Sequence, residues 1–251
     1  MIKPRIIPQL LLKNNQLVKT INFKSPKYVG DPINVIRIFN EKEVDEIILL
    51  DIDASLNNKI NFKILEKIGG ECFMPICYGG GIKTFDDAKT LFSLGFEKIS
   101  LNQALLNNTE LITKISRVFG AQSVVASINI KKNFFKKPII FDYLNKKKLN
   151  INIIDLIKKS IMAGCGELLL NFVDNDGRLC GLDQKNYIDL KLDDLEIPVI
   201  ISGGINSVEN IEKIFSNNIT AVAAGAFFIY HGPHRAVLIS YPQFNEYGRC
   251  K

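Results

Sequence analysis

The two halves of this chain repeat one another. Ile76-Cys77-Tyr78-Gly79-Gly80-Gly81-Ile82 answers Ile200-Ile201-Ser202-Gly203-Gly204-Ile205, and Glu46-Ile47-Ile48-Leu49-Leu50-Asp51-Ile52-Asp53 answers Glu167-Leu168-Leu169-Leu170-Asn171-Phe172-Val173-Asp174. Partners stand about 121 to 123 residues apart, and a fixed internal period constrains architecture before any single residue is interpreted. Apolar runs that end in Gly or Asp at a constant offset predict two fused half-barrels. They also predict two similar ligand-gripping corners on one face, suited to a substrate with a phosphate at each end. The length, 251 residues, matches one (β/α)8 barrel. Residues 1–251 are therefore expected to form a single α/β domain of that kind.

Eight apolar segments read as parallel strands: 5–12, 46–51, 72–78, 98–101, 123–130, 167–173, 198–202 and 221–224. Most are unbroken runs of Ile, Val and Leu, as strands covered on both faces require. Charged amphipathic stretches between them, such as 84–94 and 207–215, read as helices. Thr84 ahead of Asp86 and Asp87, and Ser207 ahead of Glu209, are helix-start signals. Two connections are long, 13–31 after the first strand and 131–149 after the fifth. Long loops at the carboxyl ends of barrel strands are where lids and substrate contacts lie.

Composition removes several function classes. No apolar run reaches the roughly 18 to 20 residues of a membrane helix, and Met1-Ile2-Lys3-Pro4-Arg5 does not read as a signal peptide. A cytoplasmic protein with no membrane partner is expected. The five cysteines, Cys72, Cys77, Cys165, Cys180 and Cys250, lack C-x-x-C spacing and read as reduced residues. With His231 and His234 as the two histidines, no metal site and no cofactor are expected. The net charge is +6, and lysines interleave with Phe134 and Phe135. Nucleic-acid binding would ask for a basic stripe with aromatic platforms or a known motif; solvated loop lysines are the simpler reading, and an anionic small molecule or acidic protein fits the charge equally well.

Gly79-Gly80-Gly81 and Gly203-Gly204 each follow a strand and precede a helix. Glycine lets backbone N–H groups approach an anion closely, and each pair is followed one unit later by small residues, Asn102-Gln103-Ala104 and Ala224-Gly225-Ala226. Phosphate binding is the expectation; tight strand-to-helix packing is the alternative. Asp51 and Asp53, and Asp174 and Asp176, stand at the ends of strands two and six. Carboxylates there can move protons or orient hydroxyls, or simply cap the next helix. Arg5, Glu46, Lys98 and Glu167 each begin a predicted strand and would ring the bottom opening of the barrel. By position alone such a ring reads as a stability layer.

Over almost its full length the chain resembles the cyclase subunit of imidazole glycerol phosphate synthase, the HisF type. The resemblance rests on Arg5-Ile6-Ile7, Lys13, Lys19, Gly30-Asp31-Pro32, Leu50-Asp51-Ile52, the Gly79 to Ile82 turn, Asp174 to Gly177 and Ser202-Gly203-Gly204. That family is a duplicated (β/α)8 barrel paired with a HisH-type glutaminase. Ammonia enters at the barrel bottom and meets a bis-phosphorylated substrate at the top. The resemblance implies phosphate contacts at Gly81 and Asn102 in one half, and at Gly177, Gly204, Ala224 and Gly225 in the other. It implies active-site places for Lys19, Asp51 and Asp176, and it turns Arg5, Glu46, Lys98 and Glu167 into an ammonia gate.

Two departures matter. The family places catalytic aspartates at the ends of strands one and five; here Leu11 and Asn129 stand there. Leucine exchanges no proton, and an asparagine amide only donates or accepts hydrogen bonds. Each acid–base group typically contributes about 10²- to 10⁴-fold, so cyclisation should be very slow unless Asp51 or Asp176 has taken over. A subset of the family departs in a similar way at strand one, with Leu-Leu-Leu-Lys there, Lys27-Tyr28-Val29-Gly30-Asp31-Pro32, and the His231-Gly232-Pro233-His234-Arg235 segment; Asn129 is a further departure, an aspartate being expected there even in many of those relatives. That similarity implies a surface-polysaccharide pathway, in which glutaminase, barrel and a separate amidotransferase turn an acetamido sugar into an acetamidino sugar. A cyclase of histidine biosynthesis and a noncatalytic scaffold for the glutaminase are the other expectations.

Overall fold

A computed structural model describes residues 4–242 apart from Asp183, Lys191 and Asn217. The extreme start, Met1 to Lys3, and Cys250 lie outside the described residues. Eight parallel strands close on themselves: β1 (Arg5–Lys13), β2 (Ile47–Asp51), β3 (Ile76–Gly79), β4 (Lys98–Leu101), β5 (Val124–Lys132), β6 (Glu167–Phe172), β7 (Val199–Ser202) and β8 (Ile219–Ala224). Neighbours pair in chain order and β1 closes against β8, with Ile7 opposite Ala223. The two halves meet where β4 pairs with β5, Ser100 opposite Val125, and again where β8 meets β1. The predicted (β/α)8 barrel is the observed fold. Predicted strand three starts late, at Ile76, because 72–75 run as irregular chain.

Alternation along the buried strands sorts side chains into two cores. Those facing outward, such as Ile6, Leu49, Leu168 and Val222, pack under the helices. Those facing inward form a collar inside the barrel from Ile7, Ile48, Cys77, Val125, Leu169, Ile200 and Ala221. The helices begin where the sequence signals them. Asp31 caps Pro32–Glu41, accepting from the Asn34 N–H at 3.0 Å, with Pro32 at the first helical position. Thr84 and Asp87 form a reciprocal capping box at the start of Phe85–Ser93. Ser207 caps Val208–Ile214.

The two long connections are not loops. Strands Gln16–Ile21 and Lys24–Gly30 form a hairpin on β1, and Pro138–Asp142 and Lys147–Leu149 extend β5 in the same way. Each half therefore raises an antiparallel extension above its first strand. The extensions touch through Phe23 and Tyr143, whose rings meet edge to face at 5.7 Å. No helix among the described residues is long and apolar enough to cross a membrane.

Candidate functional site

At the amino-terminal mouth, Arg5, Glu46, Lys98 and Glu167 form a closed ring. Arg5 Nη1 donates to Glu46 Oε2 at 2.5 Å and Arg5 Nη2 to Glu167 Oε1; Lys98 Nζ donates to Glu46 Oε2 at 3.0 Å and to Glu167 Oε2 at 2.8 Å. Burial opposes the charges of Arg5 and Lys98, but the Glu167 and Glu46 carboxylates outweigh it and hold both pKa values above their usual range. Glu46 Oε1 is buried with no hydrogen-bond partner among the described residues. Burial, with the nearby Glu46 carboxylate adding to it, pushes the Cys77 thiol far up and keeps it protonated.

Above the ring lies the apolar collar, and above that a layer of buried amides and hydroxyls. Ser202 Oγ donates to Gln9 Oε1 at 2.8 Å, Gln9 Nε2 to Asn171 Oδ1 at 3.4 Å, and Asn171 Nδ2 to Ser127 Oγ at 3.1 Å and Asn129 Oδ1 at 3.2 Å. Sequence reasoning overlooked Gln9, Ser127 and Asn171. Their signal is a polar side chain inside an otherwise apolar strand, which buries only with a partner.

This layer floors a cavity of about 160 Å³ at the carboxyl ends of the strands. Leu11, Asn129, Asp51, Gly81 and Asn102 all line it, so the two positions where the resemblance expects aspartates face one chamber. Asp51 caps the helix Ile52–Asn57 through the Ala54 N–H at 2.8 Å and accepts from the Tyr78 hydroxyl at 3.3 Å. Burial raises its pKa, and those two hydrogen bonds offset only part of the rise. Asp51 thus caps a helix, and it lines the chamber. Asp53 and Asp174 instead accept backbone N–H groups, from Asn14 at 2.5 Å and Lys132 at 2.7 Å, and tie down the hairpins.

The two corners are unequal, against the expectation of a matched pair. Gly81 and Asn102 open onto the large cavity, whereas Gly177, Gly204, Ala224 and Gly225 line a hollow of only about 10 Å³. Lys19 is the reason. It reaches across from the first hairpin and bonds both Asp176 oxygens, at 2.8 and 3.0 Å, and its stem lies against Gly225. Asp176 also accepts from Thr20 Oγ1 at 3.3 Å, so it is a latch between the halves. Glycine is required in both corners. Gly81 (φ +69°) and Gly204 (φ +88°) are left-handed, and a Cβ would stand 2.7 Å from Ala54 O or 2.8 Å from Asn175 Cβ. His231 and His234 are exposed, on and beside the small strand pair Tyr230–His231 and Ala236–Val237.

A closed barrel with a charged ring at one mouth and two glycine corners at the other defines a class of duplicated (β/α)8 barrels. This chain belongs to the histidine biosynthesis protein family, which matches residues 5–234, and within it to the HisF type of the imidazole glycerol phosphate synthases. It is 49% identical to a protein provisionally named imidazole glycerol phosphate synthase subunit hisF2 of Pseudomonas aeruginosa, over 98% of each chain. It is 41% identical to a provisionally named subunit hisF3 of Vibrio vulnificus, covering 98% of this chain and 95% of that one. The imidazole glycerol phosphate synthase subunit HisF of Lactococcus lactis is 33% identical over 92% of this chain and 90% of its own.

Proposed function

We propose that this barrel is the ammonia-handling subunit of a cytoplasmic glutamine amidotransferase complex. A HisH-type glutaminase docks on its lower mouth, and ammonia passes up the barrel to a separate enzyme that amidates a sugar in surface-polysaccharide biosynthesis. The observation that carries this reading is a complete four-residue ring at the bottom combined with a chamber whose two acid positions hold Leu11 and Asn129.

The interior suits neutral ammonia. The collar of Ile7, Ile48, Val125, Leu169 and Ile200 offers an ion no counter-charge, so ammonium entering it would bear a large desolvation cost while ammonia would not. The ring at the mouth screens what enters, and passage requires one of its four bonds to part. The free Glu46 Oε1 is an acceptor for an N–H group at that point. Beyond the collar, Gln9, Asn171, Ser127 and Ser202 supply further acceptors and donors, so a small polar molecule is handed through neutral side chains to the chamber that Asp51 lines.

Mixing the purified chain with its glutaminase should stimulate glutamine hydrolysis; no stimulation, with or without the third protein, removes the proposal. Arg5→Ala should divert nitrogen from the acceptor into free ammonium while the two proteins still bind. Undisturbed transfer in that variant makes the barrel a scaffold only.

A second reading, a histidine-pathway cyclase, is favoured by one observation: Asp51 lines the chamber with a raised pKa, as a proton donor would. Robust turnover of the histidine-pathway bisphosphate with ammonium salts would establish it. Under the first reading turnover is very slow, and Leu11→Asp with Asn129→Asp raises it by roughly 10²-fold or more.

A further inference from the structure

Neither the ring nor the chamber uses the tip of the second extension. There β5 turns through residues 133–137 into Pro138–Asp142, with Lys132 opposite Pro138. The turn is ordered: Asn133 N–H donates to Lys137 O at 2.9 Å, and Lys137 N–H donates to Asn133 Oδ1 at 3.0 Å. At its apex Phe134 and Phe135 are 93% and 78% exposed. Both rings stand in water beside each other, 5.6 Å apart. At the foot of the tip is a hollow of about 120 Å³ lined by Lys131, Lys132, Lys136, Lys137 and Lys185, with Asp174 as the acid facing them. The Asp174 carboxylate already accepts the Lys132 N–H at 2.7 Å and the Lys131 ammonium lies over the Phe141 ring at 3.9 Å, so among the described residues Lys132, Lys136 and Lys137 give the hollow an excess of positive charge.

Paired exposed aromatics mark a contact surface, and the geometry selects what it meets. The rings lie edge to face at 88°, packed on each other, and do not offer parallel platforms for stacked bases. A narrow turn cannot by itself bury the roughly 1,200–2,000 Å² of a stable protein interface. A bilayer asks for less: a few apolar side chains in the headgroup–acyl boundary and lysines at its anionic surface. We propose that this tip seats the barrel on an anionic phospholipid surface, Phe134 and Phe135 entering the boundary and the lysine hollow taking lipid phosphate. The tip rises from the carboxyl ends of the strands, the same end as the chamber, so docking leaves the ring mouth free. The expectation of no membrane partner rests on the lack of a spanning segment and does not bear on a peripheral contact.

The full chain should sediment with vesicles of phosphatidylcholine containing about one-third phosphatidylglycerol, and should be released by high salt. F134S/F135S and K136E/K137E should each weaken sedimentation at least about tenfold; all four side chains are exposed, so melting should be unchanged. The chain contains no tryptophan, so Phe134→Trp provides a single reporter whose emission should shift to the blue on adding the anionic vesicles. Equal sedimentation with pure phosphatidylcholine, double variants that sediment like the parent, or a tryptophan left unshifted by the anionic vesicles overturns the proposal.

Discussion

Asp51 sits at the meeting point of stability and chemistry. Its folded pKa lies above the ordinary carboxylate value, chiefly because burial disfavours the anion. The folded state therefore binds the proton more tightly than the unfolded chain, and stability falls as pH rises from the ordinary carboxylate range through the raised value. The neutral isostere in Asp51→Asn keeps an N-cap acceptor and should remove that decline. Urea unfolding followed from about pH 3 to about pH 7 checks it: the variant's advantage should grow with pH, and a constant difference would contradict the assignment. At this scale much was legible. Leu11 and Asn129 stand out as non-titrating residues in places that line one chamber. The Gln9–Asn171 and Lys19–Asp176 contacts were not legible, because partners 162 and 157 residues apart in sequence are joined only by closing the barrel.

At the scale of elements, the helix Phe62–Glu71 contains two consecutive glycines with opposite reasons to be there. A Cβ on Gly69 would stand 2.1 Å from the Leu94 carbonyl oxygen, whereas nothing lies within 4 Å of one on Gly70. Gly69→Ala should destabilise by about 1–3 kcal/mol through overpacking. Gly70→Ala should stabilise by up to about 1 kcal/mol by restoring helix propensity. Thermal or urea unfolding of the two variants reads opposite signs. Helix starts were readable because a cap and its N–H lie within three residues. The hairpins that replace the two expected loops were harder. Gln16–Ile21 and Lys24–Gly30 carry too few apolar residues for a strong period, and their pairing depends on the edge that β1 offers. The turn residues did hold a signal: Asn14, Asn15 and Asn22 all take left-handed backbone, the preference of tight hairpin turns.

For the whole molecule, the ring joins strands β1, β2, β4 and β6 and so ties the halves together at the mouth. Lys98→Met would leave two buried carboxylates on Arg5 alone and should cost on the order of 3 kcal/mol. Lys98 has a folded pKa raised above its usual value by Glu46 and Glu167 against the cost of burial. Its contribution is thus complete below the ordinary lysine range and lost as pH rises through the raised value. The gap between parent and variant should stay constant near neutrality and close only in alkali; a gap that closes on acidification from neutral to about pH 6 would contradict this account.

The sequence by itself determined the duplicated barrel, because strand and helix periods, caps and repeated glycine turns are local or strictly periodic signals. It also determined which residue types occupy the ring and positions 11 and 129. Only the tertiary structure decided that one glycine corner opens into a chamber while the other is filled by Lys19 and Asp176, and that two aromatic rings stand on a lysine-rich tip. Those outcomes depend on side chains from distant segments competing for the same space, and no local pattern encodes that competition.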